Sequence, residues 1–278
     1  MAPSPITTVA DLRAALDTPA PLRLLDIRWH LSGPQGRPEY DAGHIPGAVF
    51  VDLETVFSGQ SGGGRHPLPD AETLQAGLRA AGVSAEVPVI CYDSGDTLAA
   101  ARAWWVLRWA GLTNVTVLDG GWAAWLAAGG PVSTDEPRVE ASDLVVRTGA
   151  MPLVDADGAV HAELLMDVRA HNRYTGEVEP FDRVGGHIPG AVNVPGGDDF
   201  DESGRFLAAD QLANRYADAG VDADREVVVS CGSGITAART ILAIEAAGLP
   251  VPTPALYAGS YSDWSSDPSR PIATGPQS

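Results

Sequence analysis

One heptapeptide occurs twice in this chain. Gly43-His-Ile-Pro-Gly-Ala-Val49 and Gly186-His-Ile-Pro-Gly-Ala-Val192 are identical, and each keeps the same company. Leu24-Leu-Asp-Ile-Arg28 precedes the first as Leu165-Met-Asp-Val-Arg169 precedes the second. Gly120-Gly-Trp-Ala-Ala-Trp125 follows the first as Gly259-Ser-Tyr-Ser-Asp-Trp264 follows the second. Motifs that recur in one order over such long segments are a duplication, not a short-period solenoid. Whatever the first half folds into, the second must fold into as well. At 278 residues there is room for two cores.

The pattern between the motifs gives the class. In the first half, residues 22–27, 49–53, 87–92 and 115–118 read as strands, and 11–16, 71–81 and 98–110 as helices. A last helix opens at Asp119. Strands alternating with helices across short loops imply an α/β fold, a parallel sheet flanked by helices on both faces, once per half. Residues 133–154 are rich in Pro, Asp, Glu and Ser and read as a linker. The expected organisation is therefore a first domain over 1–132, the linker, and a second domain over 155–278.

Chemistry is expected at Cys231. Residues 227–229 read as a buried strand and 237–247 as a helix, with Ala238, Ile241 and Leu242 on one face and Gly248 as its stop. Between them runs Cys231-Gly-Ser-Gly-Ile-Thr236. Glycines there let backbone N–H groups turn inward at a helix N-terminus, which favours negative charge and hence a thiolate. A plain structural cysteine fits less well, because such a turn costs chain entropy. The first half breaks the repeat here: Tyr92-Asp93 falls where Ser230-Cys231 falls. A carboxylate in place of the nucleophile predicts a catalytically silent first half. Cys91 lies inside a strand and reads as core.

Composition excludes several classes. Thirty-six acidic against eighteen basic residues give a net charge of −18, which disfavours nucleic acid and anionic membrane surfaces as partners. An anionic substrate must then be held by a local positive site. Two cysteines make no disulfide framework, and six scattered histidines show no metal-ligand spacing, so neither metal nor cofactor is expected. No stretch has the length and apolarity of a membrane span, and the start lacks a basic region followed by an apolar core. A cytoplasmic location is expected. Gly62-Gly-Gly-Arg-His-Pro67 lacks the Lys-Ser/Thr of a phosphate loop and is given no role.

Taken together, the two Asp-x-Arg strand ends, the two Gly-His-Ile-Pro-Gly-Ala-Val loops, Arg102-Ala-Trp-Trp105, Asp119-Gly-Gly-Trp122 and the Cys231 loop resemble the tandem-domain sulfurtransferases of the rhodanese superfamily. The resemblance covers essentially the whole chain. It implies two rhodanese-like domains and a sulfane sulfur carried on Cys231 as a persulfide between a donor and a thiophilic acceptor, such as thioredoxin or cyanide. Loop residues Gly232, Gly234, Ile235 and Thr236 would cradle the charge. The neutral loop looks like that of mercaptopyruvate sulfurtransferases rather than the Cys-Arg-Lys-Gly loop of thiosulfate sulfurtransferases. By the same resemblance Ser233 would relay a proton with His44, the site lying between the halves. His187, at the equivalent place, makes loop packing the alternative for His44. Arg173 matches one arginine that grips the donor carboxylate. Phe181 stands where the pattern has the other, and Arg183 is the candidate substitute, with an ordinary surface arginine as the alternative. Asp167 and Arg169 are expected to tie the strand end to the loop that follows.

Rival classes fit less well. A cysteine phosphatase needs an arginine at the sixth residue after the cysteine, where this chain has Ala237. Gly232-Ser-Gly234 is not the Gly-x-Ser-x-Gly of a serine hydrolase. A non-catalytic binding module is disfavoured by the cysteine and its glycines. Thiosulfate as donor stays open.

Overall fold

The computed structural model describes residues 4–32 and 36–276. Its contacts divide it into two compact units. Unit 1 comprises Met1–Gly59, Pro69–Ala150 and Glu202–Phe206; unit 2 comprises Gln60–Leu68, Met151–Asp201 and Leu207–Ser278. The units thus depart from the linear halves expected from the sequence. A short segment of each half is built into the other unit, and the stretch read as a linker goes with unit 1 up to Ala150.

In unit 1 the strands are β1 (Ile6–Thr7), β2 (Arg23–Asp26), β3 (Val49–Phe50), β4 (Val89–Tyr92) and β5 (Val115–Leu118). They form a parallel sheet in the order β1-β5-β4-β2-β3. The helices are α1 (Val9–Leu16), α2 (Arg37–Ala42), α3 (Ala71–Ala80), α4 (Leu98–Trp109) and α5 (Gly121–Ala127). In unit 2 the strands are β6 (Leu153–Val154), β7 (Leu164–Asp167), β8 (Val192–Asn193), β9 (Val227–Ser230) and β10 (Ala255–Tyr257). Their order, β6-β10-β9-β7-β8, repeats that of unit 1. The helices are α6 (Ala156–Val160), α7 (His171–Thr175), α8 (Ala209–Asp218), α9 (Ile235–Ala246) and α10 (Ser260–Trp264).

The duplication holds to the residue: Asp26 pairs with Phe50 and Tyr92, and Asp167 with Asn193 and Ser230. Central strands are apolar on both faces, as burial under helices on both sides demands; β4, β7 and β9 are buried throughout. One core gathers Leu12, Leu24, Ile90, Leu118 and Trp125, the other Leu165, Tyr174, Val228, Tyr257 and Trp264. Among the described residues no helix is long and apolar enough to cross a membrane.

This topology fixes where a ligand can sit. From β7 the chain runs outward to β8, and from β9 it runs the other way to β10. The loops leaving the adjacent carboxyl ends of β7 and β9 therefore diverge, which opens a crevice at the switch point. Cys231 is the residue that follows β9.

The Asp-x-Arg motifs hold the loops beside that crevice. Arg169 Nη2 donates to Asp167 Oδ2 at 2.6 Å and to the Gly186 carbonyl at 2.7 Å. Arg28 does the same to Asp26 at 2.8 Å and to the Gly43 carbonyl at 2.7 Å. Both ion pairs are buried. Removing one partner would strand a buried charge, so each pair locks its strand end to its heptapeptide.

Candidate active site

Cys231 occupies the mouth of unit 2 and is 2% exposed. The Gly234 N–H donates to its Sγ at 3.1 Å. Gly234 can aim that N–H inward because it caps α9 at φ +80°, a conformation that glycine adopts without strain. A second turn holds the loop from the other side. Cys231 N–H donates to Ser260 Oγ at 3.0 Å, and the carbonyls of Cys231 and Gly232 accept from Tyr261 and Ser262 N–H at 3.0 and 2.9 Å. Ile235 and Thr236, expected in the cradle, form the first turn of α9, and Ile235 is buried.

Unit 1 fills its own cradle. Asp93 Oδ1 accepts from Gly95 and Thr97 N–H at 3.0 and 3.1 Å, and Oδ2 from Ala100 N–H at 3.0 Å. Burial, and secondarily the charge of Asp96, pushes this carboxyl up to about 7. Cys91 is wholly buried, and burial raises its thiol far above the ordinary range. It has the surroundings of a core residue.

The partner of Ser233 is not the expected histidine. His66 Nδ1 lies 2.8 Å from Ser233 Oγ, both groups being buried. His66 comes from the glycine-rich segment Gln60–Leu68, which belongs to unit 2. His44 belongs to unit 1 and is 0% exposed. Its ring stacks on Tyr40 at 3.8 Å, and its nitrogens face the carbonyls of Tyr40 and Asp135 at 2.9 and 3.2 Å. His187 has the same surroundings: it stacks on Tyr174 at 3.7 Å and its Nδ1 lies 2.8 Å from the Tyr174 carbonyl. In both units the heptapeptide histidine thus packs on a tyrosine and faces that tyrosine's carbonyl.

The arginines are likewise redistributed. A methyl group on Gly232 would lie 2.9 Å from Arg65 Nη2 and 3.4 and 3.5 Å from Arg173 Nη1 and Nη2. Arg173 thus stands beside the loop that follows Cys231. Arg183 is exposed, and its Nε donates to the Ser265 carbonyl at 2.8 Å. The second guanidinium beside Gly232 is Arg65.

Carboxylates position these cations. Arg65 Nη1 pairs with Asp182, and Arg173 Nη2 bonds Glu179 at 2.8 Å and Asp182 at 3.1 Å. Arg169 Nη1 reaches Glu179 at 3.3 Å. Burial alone would raise the Glu179 carboxyl, but its bonds from Arg173 and from the N–H groups of Phe181 and Asp182 outweigh that and hold it low. Burial raises Asp182, with the charge of Arg65 opposing. Phe181 lies under the guanidinium carbons of Arg65 and Arg173, at 5.6 and 5.1 Å from its ring centre.

Sequence reasoning passed over Arg65 and His66, although the repeat held a signal for one of them. Gly64-Arg65-His66 aligns with Gly204-Arg205-Phe206, so the halves diverge at His66 just as they diverge at Cys231.

The rhodanese-like domain family matches residues 8–128 and 153–267. SseB of Mycobacterium tuberculosis, named as a thiosulfate sulfurtransferase, is 40% identical over 97% of this chain and 97% of its own length. The 3-mercaptopyruvate sulfurtransferase of Escherichia coli is 36% identical over 90% of this chain and 92% of its own. The crystal structure of SseA from Escherichia coli, described as a 3-mercaptopyruvate sulfotransferase of rhodanese fold, superposes with a TM-score of 0.82. It is 32% identical, covering 94% of this chain and all of that one. With the same sheet twice, one loop that carries Cys231 and matches to both halves, this chain belongs to the rhodanese-like family as a tandem-domain member.

Proposed function

We propose that this protein is a sulfurtransferase that takes sulfur from 3-mercaptopyruvate onto Cys231 and passes it to a thiophilic acceptor. The observation that carries the reading is the 2.8 Å contact of His66 with Ser233, two residues from Cys231. The Cys231 thiolate attacks the thiol sulfur of the donor. The donor's C–S bond breaks, and its electron pair passes into the enolate of pyruvate, stabilised by the adjacent carbonyl. Protonation of that enolate by the Ser233–His66 pair gives pyruvate and leaves the persulfide on Cys231. The Gly234 N–H and the N-terminus of α9 favour the negative sulfur. Arg173 takes the donor carboxylate, and the acceptor, a thiol such as that of thioredoxin or cyanide, then attacks the outer sulfur. Both cysteines are unpaired, in keeping with a reducing, cytoplasmic setting. Unit 1, with Asp93 in the nucleophile's place, supplies no second transfer centre.

Thiosulfate is the second reading, supported by the two guanidinia beside Gly232 and by the name of SseB. Its leaving group, sulfite, needs no proton. His66→Asn should therefore lower kcat with mercaptopyruvate on the order of 100-fold while reducing thiosulfate turnover much less. Cys231→Ser should abolish both. Equal loss on the two donors, or a wild type whose kcat/KM favours thiosulfate, would overturn the mercaptopyruvate reading.

A further inference from the structure

Among the described residues, two other than glycine have a positive φ: Thr97 at +61° and Ser260 at +52°. The left-handed region is costly for any residue with a Cβ and persists only where the surroundings over-determine it. The repeat shows that neither position needs a side chain. Gly234, at φ +80°, caps α9 as Thr97 caps α4, and Gly121, at φ +51°, stands in unit 1 where Ser260 stands in unit 2. Hydrogen bonds fix the second equivalence. Trp122 and Ala123 N–H donate to the carbonyls of Asp93 and Ser94 at 2.8 and 3.2 Å, as Tyr261 and Ser262 N–H donate to those of Cys231 and Gly232 at 3.0 and 2.9 Å. Unit 2 thus carries a strained serine where the same fold in unit 1 carries glycine.

Strain by itself marks no role. The Thr97 hydroxyl is buried and makes no hydrogen bond among the described residues. The Ser260 hydroxyl is different. Ser260 is 0% exposed, and its Oγ donates to the Tyr257 carbonyl at 2.8 Å and accepts from Cys231 N–H at 3.0 Å. It therefore bridges the last residue of β10 to the residue that follows β9. The same oxygen stands 4.0 Å from Cys231 Sγ. Without the hydroxyl, the Cys231 N–H becomes a buried donor in need of a partner, and the peptide must turn to find one. The sulfur hangs on that peptide, so a turn of the peptide moves the reacting atom. In unit 1 no sulfur has to be placed, and Asp93 is held through its carboxylate by three N–H groups.

We propose that Ser260 is a positioning residue for sulfur transfer. The chain bears the strained backbone because it sets a hydroxyl where it fixes the Cys231 peptide and faces Sγ. The inference rests on Cys231 as the sulfur carrier and adds a residue that acts through it. Stability and activity should then come apart, since the strain lies in the backbone and the positioning in the hydroxyl.

The test compares Ser260→Gly with Ser260→Ala in the full chain. Glycine removes hydroxyl and strain together; alanine removes the hydroxyl and keeps the strain. The readouts are melting temperature, kcat and KM with whichever of 3-mercaptopyruvate and thiosulfate the wild type uses better, and the rate at which that donor adds sulfur to Cys231, followed by intact-protein mass spectrometry. Both variants should load sulfur and turn over about tenfold or more slowly, by the same factor, with KM within about threefold of wild type. The glycine variant should melt above the alanine variant. Alkylation of Cys231 by iodoacetamide, a readout that needs no donor, should slow severalfold in both; Cys91 is wholly buried and does not interfere. Should the alanine variant not fold, the glycine variant carries the test. A glycine variant with wild-type kcat overturns the inference, and so does a loss of kcat confined to the alanine variant, because either means that the serine braces the backbone and does not place the sulfur. A wild type that takes up no sulfur on Cys231 overturns the reading of the site and this inference with it. A wild type that loads Cys231 beside a Ser260→Gly variant that loads it equally fast overturns the inference alone.

Discussion

Gly232→Ala tests the mercaptopyruvate reading without altering Cys231. Gly232 is not among the glycines in the left-handed region, so alanine meets no backbone strain there. Its methyl would come within 2.9 Å of Arg65 Nη2 and 3.4 Å of Arg173 Nη1. The nearer contact is with the far end of a flexible side chain, so the guanidinium yields and the fold survives. What is lost is the space in front of those nitrogens. One charge-assisted hydrogen bond is worth about 1.5–3 kcal/mol. Its loss predicts a fall in kcat/KM for mercaptopyruvate of about 10- to 150-fold, carried mostly by KM. Cys231 keeps its Gly234 N–H, so saturating donor should still load one sulfur per chain, read by intact-protein mass spectrometry. Melting temperature should stay within a few degrees of wild type. An unchanged KM would refute the reasoning, since it would mean that the donor binds without entering the space beside Gly232.

Two further outcomes concern unit 1. His44→Ala removes a buried stacked ring and its contacts to two carbonyls, and should cost about 2–4 kcal/mol in urea unfolding with turnover per folded molecule unchanged; lost turnover at full stability would return His44 to the chemistry. Asp93 should make stability depend on pH. Its carboxyl, raised to about 7 in the fold against about 4 unfolded, holds its proton in the native state while the unfolded chain has lost it. Its contribution is therefore fully present below about pH 4 and is lost as pH rises to about 7. Asp93→Asn turns an amide N–H₂ toward backbone donors, so it should be less stable than wild type at pH 5, with the gap closing by roughly 2–4 kcal/mol at pH 8. A gap that does not change with pH would contradict this.

The fold was legible because its determinants are local and doubled. A strand buried on both faces reads as a continuous apolar run, and residues 227–229 and 87–92 are such runs. The identical heptapeptides forced one topology on both halves, and the Asp-x-Arg pairs were placed correctly because each partner lies within two residues of the other. Cys231 was found by the same logic: a strand–loop–helix junction is a local feature, and the halves differ at it. Segment ownership was not legible. Neither composition nor periodicity says that Gln60–Leu68 packs with residues more than a hundred positions later, or that Glu202–Phe206 packs with the first half. Such pairing depends on the course of loops, which lack a period that could be read.

Two residues expected in the site make packing and backbone contacts of their own. The family resemblance points to His44 as the heptapeptide histidine and to Arg183 as the arginine two residues after Phe181, and the structure gives both ordinary work: one stacks on Tyr40, the other bonds the Ser265 carbonyl. Beside Gly232 and Ser233 stand Arg65 and His66, adjacent residues on one glycine-rich segment. That segment lacks the Lys-Ser/Thr of a phosphate loop, so its sequence points to no role. Its glycines are required for close packing. A methyl on Gly64 would stand 2.5 Å from the Gly259 carbonyl, and one on Gly63 would strike Asp263. The backbone must lie flat against the turn that also holds Cys231, and Arg65 N–H fastens it there by donating to Ser262 Oγ at 3.0 Å. Close approach of backbone to backbone is one of the few tasks that only glycine can perform, so a run of glycines is evidence of tight docking as much as of freedom. Gly62-Gly-Gly-Arg-His thus names the docked segment first and then the two side chains that it sets beside Gly232 and Ser233.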